Sequence, residues 1–141
     1  MALKAKLANK PVTDENGYVS AELICVEYQD SDENDFEQEQ FCFNFNVPGS
    51  QKDILMRLWT GTKINPDKFT EGKKSNYNKL TRVCLALGLI DPASLPKMTS
   101  EECQAIDLEG LAGSKVKFKL QKSIKAKGLN VVDIDSLAMA E

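Results

Sequence analysis

The stretch FCFNFNVPGSQKDILMRLWTG, residues 41–61, decides the fold. Its first third alternates without a break. Phe41, Phe43, Phe45 and Val47 share one side of an extended chain and Cys42, Asn44 and Asn46 the other, the period of two that marks a half-buried strand. Three phenylalanines on the apolar side are expected in the core rather than on a binding surface. Pro48-Gly49 then turns the chain. Ser50 followed by Asp53 resembles a capping box with Asp in place of Glu, and Ile54, Leu55, Leu58 and Trp59 recur at helical spacing before Gly61. That pattern predicts a short helix over 51–60, with Trp59 packed against the sheet.

Working outward, Gly17 to Gln29 (GYVSAELICVEYQ) follows the turn-prone DENG of 14–17 and is rich in Val, Ile, Leu and Tyr, so it predicts a strand. DSDEND at 30–35 is a loop. The strand of 36–47 pairs back across it as an antiparallel hairpin. Residues 62–74 mix Pro, Gly and charge without a period and read as a loop. Ser75 is the expected cap of a second helix whose apolar stripe is Leu80, Val83, Cys84 and Leu87, with Gly88 ending it. After a proline-containing connector at 91–97, Thr99 and Glu102 form a capping-box pattern that predicts a helical turn over 100–106. From Ser114 to Ser123, Val116, Phe118 and Leu120 alternate with Lys115, Lys117 and Lys119, a strand with one apolar and one basic face. A turn over 125–128 leads into a partner strand over 129–134. The class is α+β, a helical insertion between two hairpins, in a single domain over 1–135 with a short C-terminal tail at 136–141.

The bulk numbers agree with one globular domain: 141 residues, 42% hydrophobic and 28% charged. The longest apolar run, 83–90, falls far short of the roughly 20 residues a membrane helix needs, and lysines at 4, 6 and 10 interrupt any secretory h-region. A cytoplasmic protein is expected. Cysteines 25, 42, 84 and 103 include no C-x-x-C pair, and histidine is absent. Buried reduced thiols are expected, with no disulfide, metal or cofactor. The carboxylates Asp30, Asp32, Asp35, Glu37 and Glu39 do not match a calcium loop begun at Asp30, because its sixth and twelfth positions hold Asp35 and Phe41 instead of Gly and Glu. With no G-x-S-x-G, Walker loop or nucleophile-and-base pattern, the chain reads as a binder and not an enzyme.

Net charge is −3, but it is segregated: −7 over residues 1–50, +5 over 51–90, −4 over 91–110, +6 over 111–130 and −3 over 131–141. The candidate cations for a nucleic-acid surface are Lys115, Lys117, Lys119, Lys122, Lys125 and Lys127 on the closing hairpin and Lys73, Lys74, Lys79 and Arg82 at the second helix. On one strand face, lysines two apart stand about 7 Å from each other, near the phosphate repeat of an extended single strand. The same lysines also suit the ordinary polar outer face of a sheet, and lysine is common edge protection. Tyr77 and Phe69 are the candidate stacking residues.

The order of elements resembles a family of small phage and prophage proteins with an OB-like barrel, suspected single-stranded DNA-binding or recombination accessory proteins. FCFNFNV at 41–47, NYNKLTRVCLALGL at 76–89, LEGLAGSKVKFKL at 108–120 and GLNVVDI at 128–134 carry the likeness. It implies an OB-like antiparallel β-barrel that binds single-stranded DNA through its backbone charges, as an accessory of replication or recombination. A second hypothesis is a protein-binding accessory or inhibitor module that presents the acidic loop 30–39 and the tail VDIDSLAMAE to a protein partner.

Overall fold

The computed structural model describes residues 5, 8–30, 39–64, 78–122 and 130–140. Six strands and two short helices follow in the order β1 (Tyr18–Gln29), β2 (Gln40–Val47), β3 (Ile54–Thr60), α1 (Lys79–Ala86), α2 (Ser100–Gln104), β4 (Ser114–Lys122), β5 (Asn130–Val132) and β6 (Ala138–Met139). The sheet runs β3-β2-β1-β4-β5, every pairing is antiparallel, and β6 adds to β4. The end strands β3 and β5 approach each other, so the sheet curls into a nearly closed barrel.

The expected helix over 51–60 is instead strand β3. Ile54, Met56, Leu58 and Thr60 face inward while Leu55, Arg57 and Trp59 face outward. The pairing runs without a break from Phe41↔Thr60 to Val47↔Ile54. Leu55 and Trp59 are apolar residues on the outer face, and together with Ile54 and Leu58 they imitate a helical stripe. A seven-residue ladder against the apolar, alternating β2 outweighs that weak local preference.

Ser50 and Asp53 accordingly cap nothing. The Ser50 amide donates to the Lys10 carbonyl at 2.8 Å and its hydroxyl accepts from the Lys10 amide at 3.1 Å. Asp53 accepts from the Asn46 side chain at 3.2 Å. The N-terminal arm thus fastens the β2–β3 turn, with Asn9 Oδ1 taking the amides of Gln51 and Lys52. Gly49 is required in this turn, because a Cβ there would stand 2.1 Å from the Lys52 carbonyl oxygen.

The barrel interior holds Val19, Ala21 and Leu23 of β1, Phe43, Phe45 and Val47 of β2, Met56 and Leu58 of β3, and Val116 and Phe118 of β4. Phe45 and Phe118 meet edge to face at 5.3 Å between ring centres. Helix α1 lays Leu80, Val83 and Cys84 onto this core. Its cap is Asn78, whose Oδ1 accepts from the Thr81 amide at 2.9 Å, whereas Ser75 lies outside the described residues. The capping box of Thr99 and Glu102 is present at α2. Residues 136–140, read from sequence as a tail, lie on the barrel: Leu137 is buried, β6 pairs with β4, and the Ala140 amide donates to the Lys115 carbonyl at 2.9 Å. Among the described residues no helix is long and apolar enough to cross a membrane.

Candidate nucleic-acid interface

The alternation of β4 does what its sequence implies: Lys115, Lys117 and Lys119 are exposed on one outer face, above the buried Val116 and Phe118. The neighbouring strand decides how free each charge is. Across β1, Lys115 faces Glu22, Lys117 faces Ser20 and Lys119 faces Tyr18. Lys115 is neutralised by Glu22 at 2.5 Å. The ammonium groups of Lys117 and Lys119 instead stand over the Tyr18 ring, 5.4 and 5.1 Å from its centre. This is cation–π geometry, in which the ring face attracts both charges without cancelling them. Sequence reasoning overlooked Tyr18, although its parity with Ser20 and Glu22 already placed it on the outer face of β1.

The other predicted cations are not all brought here. The Arg82 guanidinium is bound to Asp135 at 2.6 Å, fastening α1 to the 3-10 turn at Ile134–Ser136. Lys79 is exposed at the first turn of α1, and Lys122 is the last residue of β4. Lys73, Lys74, Tyr77, Lys125 and Lys127 lie outside the described residues, as do Phe69 and residues 31–38 of the acidic loop.

A second outer region is hidden in the sequence, because the spacing over 51–60 predicts a helix where β3 lies and residues 17–29 predict a regular strand. Strand β1 carries a bulge: Leu23 pairs with Phe45 and Cys25 with Asn44, leaving Ile24 unpaired between them and 42% exposed. The extra residue shifts the alternation, so Val26 takes the inward parity opposite Phe43 while Cys25 and Glu27 take the outward one. Two rows then cross the outer face of three strands: Glu27, Cys42 and Trp59 in one, Cys25, Asn44 and Arg57 in the next. Trp59, expected inside, is 38% exposed. Glu27, Cys42, Arg57 and Trp59, with Tyr28 and Gln29, line a groove of about 310 Å³.

Asn44 holds the groove together. It is 3% exposed although it faces outward. Its Nδ2 donates to Glu27 Oε1 at 2.8 Å and to the Cys42 carbonyl at 3.3 Å, and its Oδ1 accepts from Arg57 Nε at 3.2 Å. Both ends of the amide are engaged, which fixes its orientation. Burial pushes the Cys42 thiol up to about 11, with Arg57 pulling it down and Glu27 and Cys25 adding to the rise. Burial alone pushes Cys84 up to about 12. Both thiols are protonated at neutral pH and behave as small apolar groups. No group of three or more Cys, Asp and Glu side chains among the described residues is placed to hold a metal ion.

A smaller cavity of about 130 Å³ opens beside α1, lined by Phe41, Ile64, Leu80, Cys84, Ile106 and Leu108 among others, with no charged side chain. In comparisons with protein-family models, curated proteins and solved structures, none matches the chain.

Proposed function

We propose that this barrel is a non-catalytic binder of single-stranded nucleic acid, DNA in the first place, serving as an accessory of replication or recombination. The observation that carries the reading is the Tyr18 ring with the charges of Lys117 and Lys119 over it. Single-strand binders combine cations that track the phosphates with aromatic faces on which bases stack, and here both lie on two adjacent strands. The sheet fixes the backbones of all three residues, and a base that stacks on Tyr18 takes the ring face over which the two ammonium groups stand, so the lysine side chains reorder onto phosphates as the strand binds.

The strand order supports an OB-like reading of the barrel. Strand β1 pairs with both β2 and β4, β3 approaches β5, and α1 and α2 fall between β3 and β4. Tyr18 and Glu27 stand nine residues apart on β1, about 30 Å along an extended strand. A bound strand crossing from the basic region to the groove would fall inside the usual footprint of about 4–16 nucleotides.

The test is fluorescence anisotropy of a labelled oligo-dT titrated with the protein at low and at physiological salt, with duplex DNA as control. Saturable binding that prefers the single strand and weakens with salt is expected. Absence of binding at low salt overturns the reading.

A further inference from the structure

The groove on β1, β2 and β3 is built unlike the basic region, from an aromatic side chain, a carboxylate and a guanidinium around a fixed amide. Strands lie about 4.8 Å apart, so Glu27 and Trp59, each one strand away from Cys42, have backbones roughly 10 Å apart. The residue between them is a cysteine, 3% exposed. A small side chain forms the floor, and a carboxylate and an indole form the walls.

The electrostatic arrangement is equally particular. Glu27 and Arg57 carry opposite charges on one face, yet the ion pairs among the described residues are Arg82–Asp135 and Lys115–Glu22. Asn44 stands between Glu27 and Arg57 and takes one hydrogen bond from or to each. Only Nε of Arg57 is used in this way, and only Oε1 of Glu27 accepts from Asn44. The guanidinium keeps its terminal N–H donors, and the carboxylate keeps Oε2, while Oε1 accepts from the Asn44 amide at 2.8 Å and weakly from the Cys25 thiol at 3.9 Å. The bulge at Ile24 is what brings Glu27 to this face, and bulges commonly re-aim a side chain beside a site.

We propose that this groove recognises a nucleobase, with guanine preferred, and that Glu27 is the specificity-determining residue. The base stacks on Trp59. The adjacent N1–H and N2–H donors of guanine meet the Glu27 carboxylate, and its O6 and N7 acceptors meet the free nitrogens of Arg57. Guanine alone among the bases offers two neighbouring donors to a carboxylate, together with two neighbouring acceptors of the kind arginine reads as a pair. The inference rests on the single-strand reading and adds base preference to an otherwise sequence-neutral contact.

The experiment uses the full chain and an oligo-dT with one central dT replaced by dG, dC or dA. The chain contains a single tryptophan, so its fluorescence reports on the groove directly. The dG oligonucleotide is expected to quench Trp59 and to bind about tenfold more tightly than oligo-dT, the discrimination of one good base contact. Glu27→Gln retains an acceptor for Asn44 and is expected to remove the dG preference while oligo-dT binding persists. Arg57→Lys is expected to reduce the preference less. Guanosine monophosphate is the second arm. Quenching by the mononucleotide at the concentration that saturates the dG oligonucleotide would show that the groove takes a free nucleotide and overturn recognition of a base within a strand. Equal binding of all four oligonucleotides, or a preference that survives Glu27→Gln, overturns the inference and leaves single-strand binding standing. No binding of any oligonucleotide overturns both.

Discussion

The two outer regions of this sheet differ in how their charges are held. On β1 and β4 the ammonium groups of Lys117 and Lys119 rest over an aromatic ring, 5.4 and 5.1 Å from its centre. On β1, β2 and β3 a carboxylate and a guanidinium are held by a buried amide at 2.8 and 3.2 Å. The first arrangement leaves flexible charges that attract any phosphate. The second fixes donors and acceptors in place, which is what discrimination between planar ligands requires. One strand, β1, contributes to both, and the bulge at Ile24 separates its two halves.

The largest effect expected from breaking this comparison comes from reversing the mobile charges. Lys117→Glu with Lys119→Glu should weaken oligo-dT binding at low salt by about a hundredfold or more and flatten the salt dependence. Each neutralised phosphate contributes roughly 0.7 to the slope of log affinity against log salt for a single strand, so a slope reduced by about 1.4 is the expected reading. The thermal midpoint should stay close to that of the parent, since both side chains are exposed. An unchanged slope would mean that the strand does not run over Tyr18.

A smaller effect, on stability instead of on affinity for oligo-dT, is expected from the fixed region. Asn44→Ala removes a buried amide whose two ends are both engaged. Urea denaturation should show a loss of about 1–2 kcal/mol, and the dG preference should fall, because Glu27 and Arg57 are then free to close on each other. Salt-dependent binding of oligo-dT should persist. If Asn44→Ala left both stability and base preference intact, the amide would not be the spacer described above.

These regions also mark where the sequence could be read. The alternation in β2 and β4 was legible because each has a clean apolar side and a clean polar side, Phe43 and Phe45 against Asn44 and Asn46, Val116 and Phe118 against Lys115 and Lys117. The same rule placed the three lysines on one face. Strand β3 failed for the opposite reason: Leu55 and Trp59 are apolar residues on the outside, and Trp59 is there to line a groove. An outer face that carries apolar side chains loses the pattern by which strands are recognised. Glu27 was illegible in another way. Regular alternation from Val19, Ala21 and Leu23 would send it inward, and only a bulge set by pairing with β2 turns it out. Arg82 shows the limit of counting cations, since its partner Asp135 lies 53 residues away in sequence.

The smallest expected effect separates lysines that look equivalent in sequence. Lys115 belongs to the same face as Lys117 and Lys119 but is paired with Glu22, and exposed pairs of this kind contribute about 0–1 kcal/mol. Lys115→Ala should therefore change stability by less than about 0.5 kcal/mol and weaken oligo-dT binding less than Lys117→Ala does, because the Lys115 ammonium is engaged by Glu22 and makes no direct phosphate contact to lose. Glu22→Gln supplies the opposite arm. It frees the Lys115 ammonium, and binding at low salt should tighten slightly while the salt slope steepens. Should Lys115→Ala and Lys117→Ala weaken binding equally, the strand would be sensing the summed charge of β4 and not the contacts that each lysine makes across to β1.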